Sequence, residues 1–154
     1  MKRAAAGVVL VVGAAGLAVI VWLSGHAGMN AGAVGQTAIK IATAKAGLSF
    51  GDAFFRGLLC NVLVCMAVWM ALAGRSVIDK AVAIVFPITA FVAAGFEHSI
   101  ANMYFFPLAM LVGAPLGWVD FGRNIVPVIA GNLVGGSVFV ALVYWVIYVR
   151  PARP

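Results

Sequence analysis

The chain has 154 residues, of which 65% are hydrophobic and only 9% charged, and its mean hydropathy is +1.14. Soluble domains are nearer half apolar and a quarter charged, and one this small keeps too much surface to hide the excess, so lipid must be the solvent. The net charge of +6 does not indicate nucleic acid, because the basic residues form no patch: Lys2, Arg3, Lys40, Lys45, Arg56, Arg75, Lys80, Arg123, Arg150 and Arg153 punctuate apolar runs, as charges held at anionic headgroups do.

The first apolar run, residues 4–23, follows Lys2-Arg3 and resembles a signal peptide in outline. It is nevertheless long enough to cross a bilayer, since about 20 residues suffice, and an uncleaved span is expected over cleavage near 24–28. A polar stretch with His26, Asn30, Gln36, Lys40 and Lys45 follows, in which residues 32–46 read as a short helix of mixed polarity lying at the surface. The second span is expected at 53–73. It contains Asn61 and Trp69, and also Cys60 and Cys65, whose spacing fits neither a metal site nor a redox pair and marks them as small packing residues. Gly74-Arg75-Ser76 makes a turn, and Asp79 places an acid near the next helix start.

Residues 81–119 are the informative stretch, because their only acidic, basic or histidine side chains are Glu97 and His98. As one straight helix they would reach roughly 58 Å, almost twice the hydrocarbon thickness. As two spans they would each fall short, with a turn at 95–99. The third arrangement is one span broken in mid-membrane at Gly95, with Pro87 and Pro107 on either side; broken helices are tolerated where the freed backbone lines a cavity. Length does not choose among these, but the charge distribution favours the break. With four crossings, Lys2, Arg3, Arg75, Lys80, Arg150 and Arg153 share one side against Lys40, Lys45, Arg56 and Arg123, which puts both termini in the cytoplasm. The last span, 125–148, follows a connection at 117–124. It carries Gly131, Gly135 and Gly136, a face of small residues that admits a close neighbour, and ends in Tyr144, Trp145 and Tyr148 at the interface.

His98 is the leading functional candidate: an intramembrane histidine changes charge near physiological pH, and its cost within lipid argues for a role on a pathway, against the plainer reading of an imidazole satisfied by Glu97, Asn102 or a carbonyl. Glu97, one residue away, would face elsewhere on a helix and is expected to anchor backbone or a neighbouring helix. Asn61 and Asn132 are expected either to hydrogen-bond across helices or to hold an unwound backbone at the break. Phe91 is core or a hydrophobic gate, and Lys45 is a solvated charge unless it stands at a pore mouth, where it would concentrate anions. No nucleophile–base pair, metal cluster, Walker loop or dinucleotide fingerprint is present, so neither an enzyme nor a cofactor or metal is expected.

Four segments carry a family resemblance: FVAAGFEHSIANM at 91–103, NVLVCMAVWM at 61–70, NIVPVIAGNLVGG at 124–136 and YWVIY at 144–148. Together they resemble the formate/nitrite transporter family, close to its formate channels, and the EHSIAN string is highly specific. The resemblance implies an all-α membrane protein with an aquaporin-like helical bundle, here about four transmembrane segments with one broken in mid-membrane. It implies a homo-pentamer with one pore per subunit, passing small monovalent anions such as formate, nitrite or hydrosulfide across a bacterial cytoplasmic membrane, with the C-terminus cytoplasmic. His98 then stands for the central pore histidine, Phe91 and Val64 for the constriction, and Lys45 for the vestibule lysine. Asn61, Asn132, Glu97 and Asn102 become pore-adjacent. The first two helices of the family, including a broken one whose threonine opposes the histidine, have no counterpart, and residues 4–16 lack the asparagine-glycine pattern of the third. Residues 1–154 are therefore expected to form a single membrane domain corresponding to the C-terminal two thirds of a protomer. The alternatives are a non-transporting remnant or scaffold, and a conduit for neutral solutes such as water.

Overall fold

A computed structural model describes residues 2–150, with side chains from Val12 onward; the Lys2 and Arg3 side chains and Arg153 of the charge-bias argument lie outside the described residues. Among those described, every regular element is helical. The elements are α1 (Lys2–Leu23), a 3₁₀ turn (His26–Gly28), α2 (Ala33–Ala46), α3 (Phe50–Ala73), α4 (Val77–Ala93), α5 (Ser99–Leu111) and α6 (Trp118–Val134). The last continues to Val149 through π-wound stretches at Gly135–Leu142 and Trp145–Val149. The 24 residues of α3 and the 32 of the Trp118–Val149 helix each exceed the roughly 30 Å of hydrocarbon they must cross. At 22 residues, α1 is also long enough.

The chain divides into two compact units, Met1–Phe50 with Ser99–Val126 and Gly51–His98 with Pro127–Pro154. In the first, α1 and α2 both pack on α5 around Ala18, Ala38 and Leu108, with Val21, Tyr104 and Val112 against them. The short helix expected at 32–46 is present as α2; it buries one face, Gly35, Ala38 and Ala42, a strip of small residues at helical spacing, and leaves the other exposed. The strip escapes a hydropathy reading because its members are small, not strongly apolar. The expected connection at 117–124 is corrected. It is already helical from Trp118, because the Asp120 carboxylate accepts the Gly117 N–H at 2.9 Å and starts the helix.

In the second unit, α3 and the 127–149 part of the last helix lie at backbone contact. A Cβ on Gly131 would fall on the Phe54 carbonyl oxygen, and one on Gly135 on that of Leu58, so only glycine permits this approach. The turn between α3 and α4 is closed by a capping box, in which Asp79 N–H donates to Ser76 Oγ at 3.1 Å and Ser76 N–H to the Asp79 carboxylate at 3.0 Å. These bonds lie ahead of the apolar stretch that begins at Ala81. The Ser76 backbone N–H first, then its hydroxyl, then the Arg75 N–H hold the Asp79 carboxyl below its ordinary value. A depressed carboxyl stabilises the fold above its unfolded pKa and loses that contribution as pH falls through the folded one. The first turn of α4 is therefore expected to fray as pH drops below about 4, near the ordinary Asp value. Hydrogen exchange at residues 77–80 should accelerate there in the native chain and show no such acid step in Asp79→Asn.

Candidate functional site

The long apolar stretch is broken at 94–98. Helix α4 ends in a Schellman motif: Gly95 N–H donates to the Val92 carbonyl at 3.1 Å and Phe96 N–H to the Phe91 carbonyl at 3.0 Å. Gly95 takes φ +67, the left-handed conformation this motif requires and glycine adopts without strain. The chain then runs unwound through Glu97 and His98, and α5 begins at Ser99.

One side chain holds this unwound backbone. Asn132 Nδ2 donates to the Glu97 carbonyl at 3.0 Å and to the Gly57 carbonyl at 2.7 Å, both bonds buried. Asn61 Nδ2 in turn donates to the Asn132 carbonyl at 2.6 Å, and Glu97 N–H to the Arg56 carbonyl at 3.3 Å. Asn132 thus takes both roles expected of the asparagines, bonding across to α3 and holding the break, while Asn61 bonds across helices alone. The Gly57 carbonyl accepts this bond from within a helix, and the Glu97 carbonyl belongs to no helix. Losing either bond in this buried site would cost about 1 kcal/mol.

His98 stacks on Phe91 across the break, with ring centroids 5.9 Å apart and an interplanar angle of 22°, and both side chains are half-buried. Glu97 is buried at 2% exposure. The helix-face argument that separated Glu97 from His98 does not apply, because neither residue is helical. Val64 lies half-buried on α3, one turn beyond Asn61. This unit therefore carries Phe91, His98, Glu97, Asn61, Asn132 and Val64.

Asn102 and Lys45 belong to the other unit. There Asn102 Nδ2 donates to Asn124 Oδ1 at 2.7 Å, and Asn124 Nδ2 donates to the Lys45 carbonyl at 3.0 Å, in the last turn of α2. Both asparagines are buried. They join α5, the start of α6 and the end of α2, so Lys45 enters through its backbone while its side chain is half-buried. Asn124 was not singled out from sequence. Its signal is an amide at the edge of an apolar run, and reading 117–124 as a connection concealed it. Among the described residues, no group of three or more His, Cys, Asp or Glu side chains could hold a metal ion.

The chain is similar to known proteins in sequence and in fold. The family model described as formate/nitrite transporter matches residues 4–146. The formate channel FocA of Escherichia coli (strain K12) is 39% identical over 158 aligned residues, which cover 90% of this chain and 55% of that protein. A formate channel FocA of Haemophilus influenzae is 35% identical over 150 residues, covering 85% and 53%. A solved structure described as a pentameric formate channel with formate bound superposes with a TM-score of 0.82 at 37% identity, covering 91% of this chain and 62% of that one. The chain thus spans little more than half the length of these two curated relatives. With the family model matched over nearly its whole length, this chain belongs to the formate/nitrite transporter family.

Proposed function

We propose that the chain forms part of a channel for small monovalent anions, with formate the first candidate and nitrite and hydrosulfide of the same class. His98 serves as its central titratable group. The observation that carries this reading is the Phe91–His98 stack at a helix break fixed by Asn132. Formate channels among the relatives supply the substrate class, and the pentameric relative supplies the homo-pentamer. The bacterial formate channels among the relatives supply a cytoplasmic membrane as the location, and the charge bias puts the C-terminus inside. Residues 1–154 act as one membrane domain in this reading.

A bare anion entering an apolar constriction loses its hydration at a cost of many kcal/mol. Phe91 and Val64 supply that constriction. The α5 N-terminus, where the helix macrodipole is positive, begins at the residue after His98 and favours negative charge there. An imidazolium at His98 then gives its proton to the anion: the N–H bond breaks, an O–H bond forms on formate, and neutral formic acid passes beside a neutral imidazole. Beyond the constriction the acid returns the proton. Asn61, Asn132 and Glu97 hold the backbone that positions this step, Asn102 supports the start of α5, and Lys45 concentrates anions at the mouth.

The test is formate uptake into proteoliposomes against external pH. His98→Ala is expected to flatten the pH dependence, at a general acid–base contribution of about 10²-fold or more. Uptake by the variant with an unaltered pH profile would sink the reading. Permeation indifferent to substrate charge and pH would favour a neutral-solute conduit instead.

A further inference from the structure

The C-terminal ends of α3 and of the long last helix meet in an aromatic cluster. Trp69 packs edge-on against Tyr144 at 5.5 Å and Tyr148 at 5.9 Å, and the two tyrosines lie 4.9 Å apart. Helix α4 starts at the same end, since only residues 74–76 separate it from α3, and a Cβ on Gly74 would lie 3.0 Å from Lys80 Cγ. Arg75, Lys80 and Arg150 therefore share this end, all exposed. Arg150 is fixed there by its N–H, which closes the final π turn on the Trp145 carbonyl at 2.8 Å.

The charge at this end is net positive, three cations against the one acid Asp79. Asp79, the acid beside these cations, turns its carboxylate to the backbone N–H groups of Arg75 and Ser76 at 3.1 and 3.0 Å. No ion pair engages Arg75, Lys80 or Arg150 among the described residues. Beside the cations lie exposed aliphatic side chains, Leu72 at 78%, Val77 at 84% and Ile78 at 74%. Free phosphate could use the cations alone. A ligand that uses cations, interfacial aromatics and bare aliphatic surface together is anionic at one end and a hydrocarbon at the other.

We propose that this end of the unit binds anionic phospholipid, with Arg75, Lys80 and Arg150 on the headgroup phosphates and the Trp69–Tyr144–Tyr148 cluster at the headgroup boundary. A basic residue near an anionic membrane surface contributes about five-fold in binding. The experiment is native mass spectrometry of the purified protein, counting phosphatidylglycerol against phosphatidylcholine retained from an equal mixture. The native chain is expected to enrich phosphatidylglycerol. Replacing Arg75, Lys80 and Arg150 together with Gln should lower that enrichment by at least about ten-fold, and Arg150→Gln alone by about five-fold, which carries the test if the triple variant fails to fold. Arg123→Gln, in the other unit and away from the aromatic cluster, should lower it by less than Arg150→Gln does. Equal enrichment in the native chain and in Arg150→Gln overturns the proposal, as does an equal loss in Arg123→Gln. Loss of enrichment on adding millimolar inorganic phosphate would make free phosphate the ligand and overturn it too.

Discussion

Gly131→Ala is expected to abolish the folded state or lower its stability by about 3 kcal/mol or more, the upper end for overpacking. The added Cβ would fall on the Phe54 carbonyl oxygen and lie 2.9 Å from the Leu58 amide nitrogen. Both are backbone atoms within α3, so no rotamer change relieves the overlap, and the two helices must part. Separation also undoes the bonds from Asn132 to Gly57 and from Asn61 to Asn132, so the loss exceeds the steric term. Gly122→Ala provides the contrast: its Cβ would meet nothing within 4 Å, and in a helix the exchange gains up to about 1 kcal/mol. Thermal melting in detergent with size-exclusion chromatography separates the two. A Gly131→Ala variant that melts like the native chain would refute the close approach of α3 and the last helix.

Asn132→Leu should produce the second large effect. The leucine fills similar volume but removes the buried bonds to the Gly57 and Glu97 carbonyls, at about 1 kcal/mol each. The bond from Asn61 survives, because it ends on the backbone carbonyl of residue 132. The helix pair should therefore persist while the break loosens. Amide exchange at residues 95–99 should rise selectively, and under the proposed function formate flux should fall at least about ten-fold, since a misplacement near 1 Å can cost more. Unchanged exchange at 95–99 would show that other contacts fix the break.

The comparison of sequence with structure follows a physical division. Spans α1 and α3 were legible because crossing a bilayer demands a long apolar run, and nothing else in the composition accounts for one. The break was legible because Gly95, Glu97 and His98 are each unfavourable inside a continuous lipid-facing helix. The packing of α2 was not, since Gly35, Ala38 and Ala42 give little hydropathy signal and act through shape. The start of the last helix was hidden for another reason: Asp120 and Arg123 look like loop residues until the carboxylate is seen on the Gly117 N–H. The π winding after Gly135 was illegible, because residues 135–149 suit an α-helix equally well. At the candidate site, the residue types were readable but their pairing was not. Nothing in the sequence says that Asn132 reaches Glu97 while Asn124 reaches Lys45.

The Asn132 tie also has a meaning for the order in which the molecule forms. Its bonds close sequence separations of 75 residues to Gly57 and 35 to Glu97, and the bond from Asn61 closes 71. Contacts of such range carry a large loop-closure entropy and form late. During synthesis α3 and α4 are complete well before Asn132 has been made, so the Glu97 carbonyl waits for its donor until the last helix arrives. The break is thus among the final elements to be fixed, since its tie cannot form before residue 132 has been made.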